Sequence, residues 1–92
     1  MAYMLVRHNV KDYEAWKSVF DSKRDLRKRY GEKSYQILRD KKSPNELVAL
    51  FGWDSLDNAR KYADSPELKE AMADAGVLGK PDISFLEQAA QG

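Results

Sequence analysis

The sequence has no cysteine, and that absence removes several chemistries at once. There is no disulfide framework, no thiolate nucleophile and no cysteine-based metal site, so redox-thiol and zinc-ribbon readings fall. Histidine occurs once, at His8, and the carboxylates are scattered rather than paired at ligand spacing, so no metal is expected. An excess of one charge is also missing: 16 Lys and Arg against 15 Asp and Glu leave a net charge of +1, which gives no overall pull toward nucleic acid or anionic lipid. Gly52, Gly76 and Gly79 make no phosphate-cradling loop. No apolar run approaches the ~20 residues of a membrane span. The start shows no basic region leading to an apolar stretch and a cleavage site, so the expectation is a cytoplasmic protein without a membrane partner.

What is present is one pattern used twice. Leu5-Val6-Arg7-His8-Asn9 runs into a helix opened by Asp12, and Leu50-Phe51-Gly52-Trp53-Asp54 runs into a second helical region. With 92 residues, 42% hydrophobic and 34% charged, the chain reads as a single globular domain spanning residues 1–92. A domain this small buries only about 60–65% of its unfolded surface, so association with a second copy would help its core.

The apolar run at Tyr3, Met4, Leu5 and Val6 has strand length, and Ala2 to Asn9 is read as the first strand. Large apolar residues at Trp16, Val19, Phe20, Leu26 and Tyr30 predict one amphipathic helix from Tyr13 to about Arg29, ended by Gly31. Its acidic start and basic end complement the helix dipole. Ser34 to Asp40 alternates as a half-exposed strand, and residues 41–45 form a turn into the continuously apolar Leu47 to Phe51. Two short helices follow, Leu56 to Ala63 and Pro66 to Ala75, the second with Ser65 as N-cap and Pro66 at its first position. A loop over residues 76–81 then leads to a last strand, Ile83 to Glu87.

The order is β-α-β-β-α(α)-β, which predicts an α+β, ferredoxin-like βαββαβ fold with a four-stranded antiparallel sheet and helices on one face. A strand covered on one side only should alternate, yet the first and third strands are unbroken apolar runs that call for cover on both faces. The same face of a second copy would supply it. A homodimer through the sheet, a dimeric α/β barrel, is therefore expected.

Few residues carry candidate chemistry. His8 ends the first strand, where an imidazole can exchange protons near neutrality or simply be hydrogen-bonded as part of the frame. Lys23 lies on the stripe of the first helix that faces the sheet, so it either snorkels outward or turns its charge into a pocket. Trp16, Tyr35, Phe51 and Trp53 are candidate walls for a small apolar or aromatic ligand, and equally candidate core. The doubled pattern aligns His8 with Trp53, so a pocket is expected beside both. The run from Lys23 to Arg29 is basic, but the third strand has none of the aromatic pattern of RNA-recognition domains, so the run is read as a solvated helix end without a nucleic-acid partner.

Trp53-Asp54-Ser55-Leu56-Asp57, continuing through Ala63-Asp64-Ser65-Pro66-Glu67-Leu68, resembles the signature stretch of dimeric α/β-barrel proteins related to antibiotic biosynthesis monooxygenases. Val6 to Trp16 and the tail from Ala75 to Ile83 are similar to a subgroup loosely described as cyclases or monooxygenases. The resemblance implies an apolar cavity that needs no metal, flavin or other cofactor and helps a phenol or quinol lose a proton before reaction with oxygen. It further implies His8 as acid or base and Trp53 as cavity wall or hydrogen-bond donor. Where the subgroup places a second histidine this chain has Lys23, which by charge could hold an enolate or carboxylate.

Overall fold

The structure, a computed structural model, describes residues 2–92. Its elements are β1 (Ala2–Val10), α1 (Tyr13–Ser22), α2 (Arg24–Tyr30), β2 (Glu32–Arg39), β3 (Glu46–Trp53), α3 (Leu56–Ala63), α4 (Pro66–Asp74) and β4 (Val77–Glu87). The strands form one antiparallel sheet in the order β2-β3-β1-β4, the ferredoxin-like arrangement expected. All helices lie on one face. No helix among the described residues is long and apolar enough to cross a membrane.

The helix starts are chemically marked. Asp12 accepts from the Ala15 amide at 2.9 Å, Ser55 from Asn58 at 3.1 Å and Ser65 from Leu68 at 3.2 Å, so each of these N-termini has a side-chain partner for one free amide. Two expectations are corrected. The first helix is not continuous: it breaks at Lys23, and the Lys23 amide turns to the Phe20 carbonyl at 3.2 Å. The segment from residue 77 onward, expected as loop before Ile83, is already strand. It pairs as an edge with β1 across an irregularity between Arg7 and Asn9, where Gly79 takes φ +68°, and an edge strand can carry Pro81, which has no amide to donate.

Strand alternation decides what lies under the helices. On β1, Met4, Val6, His8 and Val10 are buried; on β3, Leu47, Ala49, Phe51 and Trp53 are buried. The other face carries Leu5, Val48 and Leu50, all half-buried, with Leu38 and Leu86 exposed to 48% and 43%. Thus the continuous apolar runs resolve into one covered face and one open apolar face.

Gly31 closes α2 with φ +119°, donating to the carbonyls of Arg27 and Lys28, and its own carbonyl accepts from the Asp54 amide at 3.0 Å. A Cβ built there would run into the Asp54 carboxylate. Gly31→Ala is therefore expected to destabilise the fold by about 1–3 kcal/mol, since both the left-handed backbone and the contact oppose it. For a domain of this size each kcal/mol moves the thermal midpoint by roughly 4–8 °C. An unchanged midpoint on thermal unfolding would show that the turn has no such constraint.

Candidate functional site

Between the helices and the covered face of the sheet lies a cavity of ≈ 60 Å³. Its floor is Met4, Val6 and His8 of β1 with Ala49 and Phe51 of β3, and its walls come from α1, α2, α3 and α4. The lining is apolar except at a few points. The lining residues with polar groups are His8, Lys23, Arg27 and Tyr62.

His8 is 7% exposed, and neither of its ring nitrogens has a protein hydrogen-bond partner. Strand period puts it there: it is two residues beyond Val6 and four beyond Met4, on the same face. Burial lowers its pKa below the ordinary 6.5, because desolvation penalises the charged ring. The imidazole is neutral at pH 7, with one N–H to donate and one lone pair to accept a proton.

From His8 a row of rings runs along α1. The His8 and Trp16 centroids are 5.6 Å apart, and Trp16 stacks on Phe20 at 4.9 Å with an interplanar angle of 17°. The i, i+4 spacing of Trp16 and Phe20 brings the two rings onto one helical stripe. Beyond Phe20 comes Arg27, whose guanidinium carbon sits 3.7 Å from the Phe20 centroid, a cation–π contact in a water-poor setting.

Arg27 is held from two sides. Its Nε donates to both oxygens of Glu32, at 3.1 and 3.2 Å, and its Nη1 donates to the Phe20 carbonyl at 2.7 Å. At the break the carbonyl takes the Lys23 amide in a tightened last turn, and the guanidinium shares the same oxygen at the end of α1. Arg24 lies 3.4 Å from the second Glu32 oxygen. Arg27 and Glu32 are exposed by only 2% and 4%, and the Nη2 of Arg27 has no protein partner. The expectation that the whole run from Lys23 to Arg29 is a solvated helix end thus fails at Arg27. A guanidinium with a carboxylate, a carbonyl and an aromatic face can be buried where an isolated charge could not.

Tyr62, also lining the cavity, has its pKa pushed up to about 12, mainly by burial and partly offset by the nearby Arg27 charge. It stays a neutral phenol throughout the physiological range. Among the described residues no three His, Asp or Glu side chains gather as metal ligands.

The sequence candidates divide. His8, Lys23, Trp16 and Phe51 meet around the cavity, with Lys23 half-buried. Trp53 and Tyr35 do not line it. In the antiparallel register His8 pairs with Leu47 while Trp53 pairs with Ala2, so the two ends that the doubled pattern aligned are opposite ends of the sheet. Trp53 is fully buried against Tyr62, centroids 5.4 Å apart, with its Nε1 unpartnered. Tyr35 backs the site from outside, edge-on to Phe20 at 5.1 Å and beneath the Arg24 guanidinium at 4.6 Å. Arg27 and Tyr62 also line the cavity and were not among the sequence candidates. The available signal for Arg27 was its place seven residues after Phe20, on the same stripe.

Compared with known proteins, the sequence matches no protein-family model and no curated protein. The fold does have counterparts among solved structures. SnoaB, a cofactor-independent oxygenase from Streptomyces nogalater, superposes with a TM-score of 0.79 at 17% identity, over 98% of this chain and 94% of that one. The fold is that of the antibiotic biosynthesis monooxygenases. Proteins given that family name from Bordetella bronchiseptica and Caulobacter crescentus superpose with TM-scores of 0.80 and 0.75, at 14% and 20% identity. They cover 97% of this chain in both cases, and 97% and 90% of their own. At these identities the likeness is one of fold, and the expected resemblance holds at that level.

A neutral buried His8 leaves a signature in stability. Its folded-state pKa lies below the unfolded 6.5, so on acidification the unfolded chain takes up the proton first, and stability falls as pH drops through 6.5 toward the lower folded value. Urea midpoints at pH 7 and pH 5 are expected to fall in the native chain by more than in His8→Gln. Equal falls in both proteins would remove His8 as the source.

Proposed function

We propose that this protein is a small-molecule enzyme of the cofactor-independent monooxygenase or cyclase-like type, acting on an aromatic or polyketide-like compound in the cavity under α1. One observation carries the reading: a neutral histidine, with both nitrogens free of protein partners, faces an apolar chamber walled by stacked aromatic rings. A protein that needed His8 only as a strut would give at least one nitrogen a partner, since an unpaired buried polar group costs on the order of 1–3 kcal/mol.

In this reading His8 accepts the proton of a bound phenol or quinol, and the substrate left behind is an electron-rich anion. That anion reduces molecular oxygen; one oxygen atom stays in the product and the other leaves as water, with the substrate supplying the electrons. Exclusion of water matters at both steps, because a dry cavity keeps the imidazole neutral and protects the reactive anion from the solvent. The cavity holds only a few waters as it stands, each needing roughly 10–15 Å³, so a ring system must displace side chains to enter. Met72, half-buried and flexible, is the wall residue best suited to move.

The open apolar face of the sheet supports a homodimer. Leu5, Val48 and Leu50 at its centre are half-buried, and Leu38 and Leu86 around them stand nearly half exposed, an apolar patch that monomeric proteins seldom leave bare. A second copy laid face to face would complete the cover that the helices give the other side.

Incubation with an anthrone or a quinol, followed by oxygen consumption, tests the catalytic reading. The wild-type chain is expected to consume oxygen, and His8→Ala to lower the rate by at least the 10²-fold typical of a lost general base while keeping its circular dichroism spectrum. Undiminished turnover in His8→Ala would take the histidine out of the mechanism, and ligand binding without turnover in the wild type would leave a binding protein instead. For the dimer, light scattering at micromolar concentration is expected to give twice the chain mass, and Leu50→Lys to give the monomer. A wild-type monomer would defeat the face-to-face assembly.

A further inference from the structure

We infer that the cavity is built for a ligand with an anionic oxygen at one end, and that Arg27, more than Lys23, is the residue that binds it. The inference rests on the small-molecule reading of the cavity and adds the class of compound, a flat aromatic acid or ionised phenol or enol with a hydrogen-bonding group at its far end.

The polar groups are sorted by position. Along the row of rings, His8 stands beyond Trp16 and Arg27 beyond Phe20, so a planar ligand lying against Trp16 and Phe20 has a neutral imidazole toward one end and a guanidinium toward the other. The guanidinium end is positive overall. Lys23, Arg24 and Arg27 stand there with Glu32 as the only carboxylate in ion-pair contact with either arginine among the described residues, and Glu32 is fully engaged by Arg27 and Arg24.

Arg27 is also ready to bind. Nε and Nη1 are fixed by Glu32 and by the Phe20 carbonyl, which leaves the buried Nη2 as the donor without a protein partner in a side chain whose rotamer is already set. An oxyanion at Nη2 gains a charge-assisted hydrogen bond at little cost in side-chain freedom. Lys23 is half-buried on a flexible stem and its ammonium makes no ion pair or hydrogen bond among the described residues, so it adds charge without the same fixed geometry. The buried arginine would be hard to explain as a stabilising device alone, because a buried ion pair seldom outperforms well-packed apolar residues.

The probes are para-hydroxybenzoate and its two-ring naphthalene homologue, each compared with the corresponding uncharged carboxamide, titrated into the full chain and followed by calorimetry. The wild type is expected to bind at least one of the acids tenfold or more tighter than its amide. Arg27→Gln should erase that preference, and Lys23→Met should reduce it by less. Because Arg27→Gln leaves Glu32 buried without its partner, the double change Arg27→Met with Glu32→Leu serves as the folded control: it removes both charges together and should bind acid and amide alike. Equal binding of acid and amide by the wild type overturns the inference, as does binding of neither, or an acid preference that survives in the double variant. Binding is read without turnover, so an acid preference that depends on Arg27 in a protein that oxidises no substrate would sink the catalytic proposal and keep this one.

Discussion

The buried pair of Arg27 and Glu32 is the contact on which the helical layer depends. It joins the end of α1, through the Phe20 carbonyl, to the start of β2, through Glu32, and lays a flat cation across the Phe20 ring. At the break the Phe20 carbonyl accepts from the Lys23 amide, and the guanidinium adds a second, shorter hydrogen bond to the same oxygen. The turn at Gly31 belongs to the same device, since it brings Glu32 back toward Arg27 within five residues and ties α2 to the end of β3 through Asp54. With one partner removed, the other becomes an uncompensated charge in a small core, a loss on the order of 3–5 kcal/mol and so comparable with the whole stability of many such domains.

The fold was legible because it depends on periodicity. Strand and helix periods in the apolar residues, Asp12 and Ser65 as caps, Pro66 at a first helical position and Gly31 as a stop are local signals, and local signals fix the order of elements. The failures were also local in cause. Residues 77–82 looked like a loop because Gly79 and Pro81 are there, but an edge strand with an irregularity tolerates both. Helix one looked continuous because nothing at Lys23 is a helix breaker by type. Its break coincides with a side-chain contact, the Arg27 guanidinium on the Phe20 carbonyl, and such a contact has no period to read.

The site was legible in part for the same reason. His8, Trp16, Phe51 and Lys23 each sit on a buried stripe or strand face, and periodicity brings them to one chamber. Trp53 sits on such a face too, but at the opposite end of the sheet, a distinction that antiparallel pairing makes and that likeness between the two halves hides. Arg27 was lost in a run of five basic residues within Lys23 to Arg29, where composition suggests solvent. Only the pairing with Glu32 across the Gly31 turn separates it from its neighbours, and that pairing is a property of the turn's geometry.

Function and stability oppose each other within this core. A 92-residue domain has little apolar surface to spare, yet it buries an imidazole without a partner for either nitrogen, a guanidinium with one free amine and an indole N–H with none. Each of these weakens the folded state on its own, and a filled apolar core would remove at least the penalty at His8. The imidazole and the guanidinium lie around one cavity, at opposite ends of a row of rings. A ligand whose polar ends meet them would satisfy both groups and restore by binding a part of what the core gives up, stabilising the fold in proportion to the logarithm of its concentration above Kd. In the proposed homodimer the open sheet face would work in the same direction, since a second copy would bury apolar surface that the monomer leaves to water. On the proposed reading the cost of the cavity would be offset from outside the single chain, by a second copy on one side of the sheet and by a ligand on the other.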